Sequence, residues 1–190
     1  MTNEQQILEV PNGAETAVEI RAGKYLTFCL GAEEYGLAIL RVREIIGLMA
    51  ITNVPRTPHH IRGVINLRGK VIPVLNLRAK FGMETKEDTE ETCIIVVESS
   101  IQGSPVQIGI LVDAVSEVLD IEESDIEDAP VIGNNFNGDF IIGLAKTKDG
   151  VKILLDIDQV LSASDVEIAQ NMDQKPEEAT KEQEYAEEIQ

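Results

Sequence analysis

Few side chains in this 190-residue chain could do chemistry. Its two histidines, His59 and His60, are adjacent. Neighbours in a chain point in different directions, and no Cys or further His lies nearby to complete a metal set. They read as solvated loop residues. Carboxylates are more plentiful: Asp156 and Asp158 could share one face of a strand, and Glu122, Glu123, Asp125, Glu127 and Asp128 crowd together. Neither group has the offsets of a calcium loop around a turn glycine. A general acid and base would also need an apolar pocket that the sequence does not mark. Both groups read as solvated acidic surface. The phosphate cradles G-x-x-x-x-G-K-[ST] and G-x-G-x-x-G and the nucleophile elbow G-x-S-x-G are missing. Cys29 and Cys93 lie in apolar runs and read as reduced, buried thiols. These residues imply no enzyme, no metal site and no cofactor.

The dense stretch from Ile61 to Arg78 is different: Ile-Arg-Gly-Val-Ile-Asn-Leu-Arg-Gly-Lys-Val-Ile-Pro-Val-Leu-Asn-Leu-Arg. Two apolar runs flank Arg68-Gly69, the spacing of a tight hairpin, although Arg is not a favoured first turn residue. Pro73 removes a ladder donor, which predicts an edge strand or a bulge. On a purely structural reading the glycines only permit positive φ. On a functional reading Arg68 projects from the turn and offers a planar donor fork to a partner's carboxylate or carbonyl.

The elements that would position these residues are mostly short strands. Lys24 to Leu30 alternates, Gly31 to Glu34 turns the chain, and a second strand follows around Tyr35 to Leu37. Ile39, Val42 and Ile46 fall at helical spacing, with Arg41, Arg43 and Glu44 on the exposed side. Pro55 and Pro58 bracket a loop leading to a helical turn at His59 to Arg62. Arg78 to Gly82 forms another helical turn, and Met83 to Glu91 an acidic connector. Strands are expected at Cys93 to Glu98, Val106 to Val112 and Glu117 to Ile121, with a turn from Ser99 to Ser104. Glu122 to Asp128 and Gly133 to Gly138 read as loops. Ile141 to Thr147 and Val151 to Ile157 form a hairpin across Lys148-Asp149-Gly150. Many short strands with few helices mean a sandwich or barrel.

Charge divides unevenly along the chain. The total is −18; residues 24–80 carry +6 and residues 81–164 carry −14. The acidity argues against nucleic acid and against an anionic membrane as partner. A basic half followed by an acidic half suits contact with two different partners, or serves solubility alone. Met1 opens a polar stretch without a signal-peptide pattern, and the apolar runs are too short to cross a bilayer. A soluble, cytoplasmic protein is expected.

The Ile61–Arg78 stretch resembles the signature of the CheW family of chemotaxis coupling proteins, N-L-R-G followed by a Pro-containing strand and then D/N-L. Glu34-Tyr35-Gly36-Leu37 with Val42, Glu44 and Ile45 is similar to the family's E-x-Y-G and V-x-E-I segments. Gly109 to Asp113 with Val115 and Val118, and Ile153 to Leu161, are similar to two later motifs in the same order. Asn76 stands where Asp is common and keeps an acceptor without the charge. The resemblance implies a mainly β fold, two small five-stranded SH3-like barrels packed together with a few short helices, over residues 24–161. Residues 1–23 would be a flexible N-terminal segment, and 162–190 a short helix followed by an acidic flexible tail.

It further implies a non-catalytic adaptor that binds the cytoplasmic tip of chemoreceptors and the regulatory domain of the histidine kinase CheA. No nucleic acid and no direct membrane insertion are expected. On the family pattern a helical hairpin lies in a groove between barrels. Val42 and Ile45 would be groove apolars, Glu44 a rim charge and Arg68 the donor. Gly63 and Gly69 would let a backbone come close, and Asn66 belongs to the same motif. For the apolar residues a place in the core remains the open alternative. Other readings are a scaffold serving a non-chemotaxis kinase pathway, a piece of the kinase or of the related adaptor CheV, an unrecognised carboxylate enzyme, or a ligand-binding barrel.

Overall fold

The structure is a computed structural model that describes residues 21–99, 103, 105–129 and 138–173. Its strands are β1 (Gly23–Leu30), β2 (Glu33–Ala38), β3 (Val42–Gly47), β4 (Ile61–Leu67), β5 (Lys70–Asn76), β6 (Cys93–Ser99), β7 (Val106–Val112), β8 (Ala114–Ile121), β9 (Ile126–Glu127), β10 (Ile141–Thr147) and β11 (Gly150–Leu155). The α-helices are α1 (Leu77–Lys80), α2 (Ile157–Val160) and α3 (Ala163–Asp173). One sheet has the order β8-β1-β2-β11-β10-β9, the other β3-β6-β7-β5-β4. The first sheet has six strands rather than five because the acidic run, expected as plain loop, contains a 3-10 turn at Glu123–Asp125 and then β9.

The first subdomain is discontinuous. The chain lays down β1 and β2, builds the whole second sheet, and returns with β8 to β11, which β11 joins by parallel pairing to β2. Three apolar clusters hold the body together. Ile65, Ile72, Val74, Ile94, Val96 and Leu111 fill the second sheet. Tyr25, Ile121, Ile126, Ala145 and Leu154 fill the first. The largest lies between the sheets and includes Leu26, Phe28 and Leu30 from one side and Ile95, Val97, Ile108 and Ile110 from the other. Along β6, Cys93, Ile95 and Val97 face this shared core while Ile94 and Val96 face the second sheet's own cluster. A strand buried on both faces must be apolar throughout, which is why Cys93 to Val97 shows no alternation.

Several expected elements differ. Val42 to Gly47 is a strand paired with β6, and only Ile39–Arg41 is helical, as a 3-10 turn. The run is short and rich in β-branched residues, so helical spacing of three positions could not distinguish it from a strand. His59 and His60 form a turn, and Ile61 already begins β4, so no helical turn occurs there. Pro73 lies in an interior strand, since β5 is flanked by β4 and β7. Its cross-strand partner Val64 exchanges both backbone hydrogen bonds with Thr52 instead, at 2.8 and 2.9 Å, so the missing Pro73 donor is not needed toward β4. The bulge falls on β4, between Ile61 and Gly63. Of the loop expected at Gly133 to Gly138, residues 133–137 lie outside the described residues and Gly138 begins a 3-10 turn (Gly138–Phe140); most of the Ser99 to Ser104 turn lies outside as well, as do residues 1–20 and 174–190.

Candidate functional site

The Arg68-Gly69 turn joins β4 to β5, with φ of +54° at Arg68 and +89° at Gly69. Two successive positive φ values make a type I′ turn, whose twist matches the flanking strands. The Asn66 side chain braces it by accepting a hydrogen bond from the Gly69 N–H at 2.8 Å. Arg68 is held in the left-handed region that disfavours side chains, and its side chain is 76% exposed. Both arms of its guanidinium donate to Glu44 on β3, at 2.8 and 2.7 Å.

This pair defines the shape of the second sheet. β3 and β4 are its two edges, and in a flat sheet four strand spacings would separate them by about 19 Å. A bidentate contact between β3 and the β4–β5 turn therefore requires the sheet to curl into a barrel. The Thr52–Val64 bridge covers part of β4.

On β3 the register shifts at Arg43, an extra residue between the pairs Val42↔Val97 and Glu44↔Val96. Such a bulge re-aims side chains. Here Val42 and Ile45 fall on the face of Val97 and Ile95, toward the shared core, while Glu44 and Ile46 fall on the face of Val96 and Ile94. The expected site residues thus divide. Glu44, Asn66, Arg68 and Gly69 gather at the barrel mouth. Val42, half-buried against the shared core, and Ile45, 45% exposed, lie on the opposite face. Gly63 has φ of +144°, and a Cβ there would sit 2.3 Å from the Thr52 carbonyl oxygen, so the backbone that comes close is the chain's own. Leu48, Met49 and Val71 are further exposed apolar residues on the same subdomain.

Polar contacts that composition did not reveal join the two subdomains. Arg78, just after the start of α1, grips Asp113 between β7 and β8 at 2.7 and 2.5 Å, and Asp113 also accepts from the Gly31 N–H at 2.8 Å. The Arg78 fork and the Gly31 N–H hold the Asp113 carboxyl below its usual range, against partial burial. Both residues stand in the motif segments, so their signal was present but not their pairing. Asn76 caps α1 by accepting from the Ala79 N–H at 3.1 Å, the acceptor role that Asp would also fill. Asp158 is no bare surface carboxylate: it accepts from Arg41 at 2.5 Å and from Ser99 at 2.7 Å. Asp156 caps α2 through the Asp158 N–H.

His60 also departs from expectation. Its side chain is only 14% exposed, and its Nε2–H donates to Asp165 at 2.6 Å. Asp165, fully buried, accepts as well from Lys80 at 2.5 Å and from the Ser162 N–H and hydroxyl at 2.9 and 2.7 Å. Burial alone would raise this carboxyl, but the bonds from Lys80, His60 and Ser162 prevail and lower it to about 2. The network pins α3, whose Val166 and Ala169 join the shared core. Among the described residues no cluster of His, Cys, Asp and Glu could hold a metal ion, Cys29 and Cys93 are free thiols, and no helix is long and apolar enough to cross a membrane.

Residues 24–165 match the family model described as CheW-like domain. The chain is 36% identical over 159 residues to the Chemotaxis protein CheW of Klebsiella aerogenes, covering 84% of this chain and 93% of that one. It is 33% identical over 136 residues to that of Thermotoga maritima, covering 72% and 85%. The solved scaffolding protein TtCheW from Thermoanaerobacter tengcongensis shares the fold with a TM-score of 0.66 at 38% identity, over 76% of this chain and 95% of that one. Motif order, paired barrels and these similarities agree, and the chain belongs to the CheW family.

Proposed function

We propose that this protein is a non-catalytic, cytoplasmic chemotaxis adaptor that couples chemoreceptors to the histidine kinase CheA in signalling arrays. One contact would be the helical tip of a receptor, the other the kinase regulatory domain. The observation that carries this reading is Arg68: a charged residue in a disfavoured backbone conformation, presented in solvent at the barrel mouth. Strain at an exposed turn needs a reason, because Asn or Gly would occupy the same position without it. A guanidinium fork already set in one plane by Glu44 loses little freedom when a partner's carboxylate or carbonyl joins it. Val71, close after the turn, adds exposed apolar surface.

Two experiments test this. Separate pull-downs against a receptor cytoplasmic fragment and the kinase regulatory domain should each retain the protein; binding to neither overturns the adaptor reading. Arg68→Glu should leave the fold intact while lowering co-sedimentation with receptor-bearing membranes and kinase activation by about tenfold, the loss of a charged contact. Because Arg68→Glu also faces Glu44, the exchange Glu44→Arg with Arg68→Glu is the control. It restores the internal pair but reverses the charge presented to a partner, so binding should stay low. Full recovery in the exchange variant would make the pair a structural tie only.

A further inference from the structure

The first sheet is left open along one seam. Among the described residues β8 pairs with β1 alone, so none of them pairs with the backbone along its other edge. Four strand spacings away, β10 pairs with β9 only at Leu144 and Ala145, which leaves Lys146 and Thr147 without a strand partner on that side among the described residues. These two edges line a single cleft of about 610 Å³, the barrel's unclosed seam. Its floor is apolar: Leu119 is half-buried and Ile121 buried, both beside the Tyr25 and Ile126 cluster. Its rim is acidic. Carboxylates outnumber lysines by four to two in the lining, and Lys146 is already paired with Glu127. Glu117, Asp120 and Asp125 make no ion pair with any described residue.

An unpaired edge invites an added strand, and acidic groups along it decide which strand is accepted. A second copy of β8 would bring Glu117 and Asp120 against their own kind, and residues 165–190 carry net charge −7, so neither self-pairing nor the chain's own C-terminal segment suits the seam. We infer that β8 is a strand-addition site for an extended segment of another protein in which apolar and basic residues alternate. Apolar side chains of the guest meet Leu119 and Ile121, its basic side chains meet Glu117, Asp120 and Asp125, and its backbone completes the ladder of β8. This contact is separate from the Arg68 surface and does not depend on it, since the two lie on different sheets.

The test uses the full chain and a fluorescent, end-blocked peptide of four Lys-Val repeats, long enough for the eight residues of β8. Anisotropy should show saturable binding, with amide shifts concentrated on β8 and β10 in an NMR titration. The matching Glu-Val peptide should bind at least tenfold more weakly, and so should a Lys-Val peptide N-methylated at consecutive residues, which blocks both of its edges and cannot complete a ladder. Glu117→Lys with Asp120→Lys should reverse the preference between the two charged peptides. No binding of the Lys-Val peptide, or equal binding of its N-methylated form, would overturn the proposal, the second outcome reducing it to diffuse charge attraction. If the doubly substituted protein melts early, the N-methyl comparison on the unsubstituted protein still decides the matter.

Discussion

Asp165 shows how much a single residue does here and how its effect can be measured. Its carboxylate is buried and ionised, with every bond to it coming from a donor on another element or on its own helix start. The folded value of about 2 lies below the value of about 3.9 for an unfolded Asp. A depressed carboxyl contributes stability above the unfolded value and loses it as the folded value is crossed on acidification. Asp165→Asn should therefore cost about 2 kcal/mol at neutral pH, and the gap to the unsubstituted protein should close between about pH 4 and about pH 2. Urea titrations across that range check this; a gap that persists at low pH would mean that Asn damages packing rather than removing a charge. The sequence could not show this network, because Asp165 looked like one of many C-terminal acids and His60 like one of two loop histidines. Burial and contacts between distant parts of the chain, His60 with Asp165 across 105 residues and Lys80 with Asp165 across 85, set both roles.

The β4–β5 hairpin is the element in which sequence and structure agree most closely. Its two-residue spacing fixed the turn, and the turn in turn fixed which residues oppose each other from Leu67↔Lys70 to Val64↔Pro73. The β3 region was illegible for the opposite reason: the bulge at Arg43 breaks the period of two, so Ile39, Val42 and Ile46 imitate a helix. That bulge also puts Val42 on the opposite face from Glu44, which no count along the chain would predict. The hairpin itself makes a sharp prediction. Arg68→Asn places the favoured Asn-Gly pair in a type I′ turn and removes the strained side chain, at the loss of an exposed ion pair. The melting temperature should stay level or rise by about 2 °C, while receptor co-sedimentation falls. A clear drop in melting temperature would mean that the Arg68–Glu44 tie across the barrel mouth carries more stability than the relief of backbone strain returns.

At the scale of the whole molecule the charge pattern changes meaning. The division into a basic and an acidic half followed sequence order, but the first subdomain is built from both ends of the domain. Residues 21–41 with 113–161 carry net charge −8, whereas residues 42–112 carry only +1. The basic groups of the second subdomain are largely spent on internal pairs: Arg43 with Glu98, Arg62 with Asp88, Arg68 with Glu44 and Arg78 with Asp113. What the molecule presents is one strongly acidic subdomain and one nearly neutral, joined rigidly by the shared apolar core and the Arg78–Asp113 contact. A partner held by the acidic subdomain gains long-range attraction that salt screens; a partner held by the neutral one relies on short-range packing and the Arg68 fork, which salt affects less. Raising the salt about tenfold should thus weaken one of the receptor and kinase contacts several-fold and the other far less. Measured separately by titration calorimetry, the contact that Arg68→Glu disrupts should be the salt-tolerant one. Equal salt sensitivity of the two would reduce the asymmetry to a solubility feature.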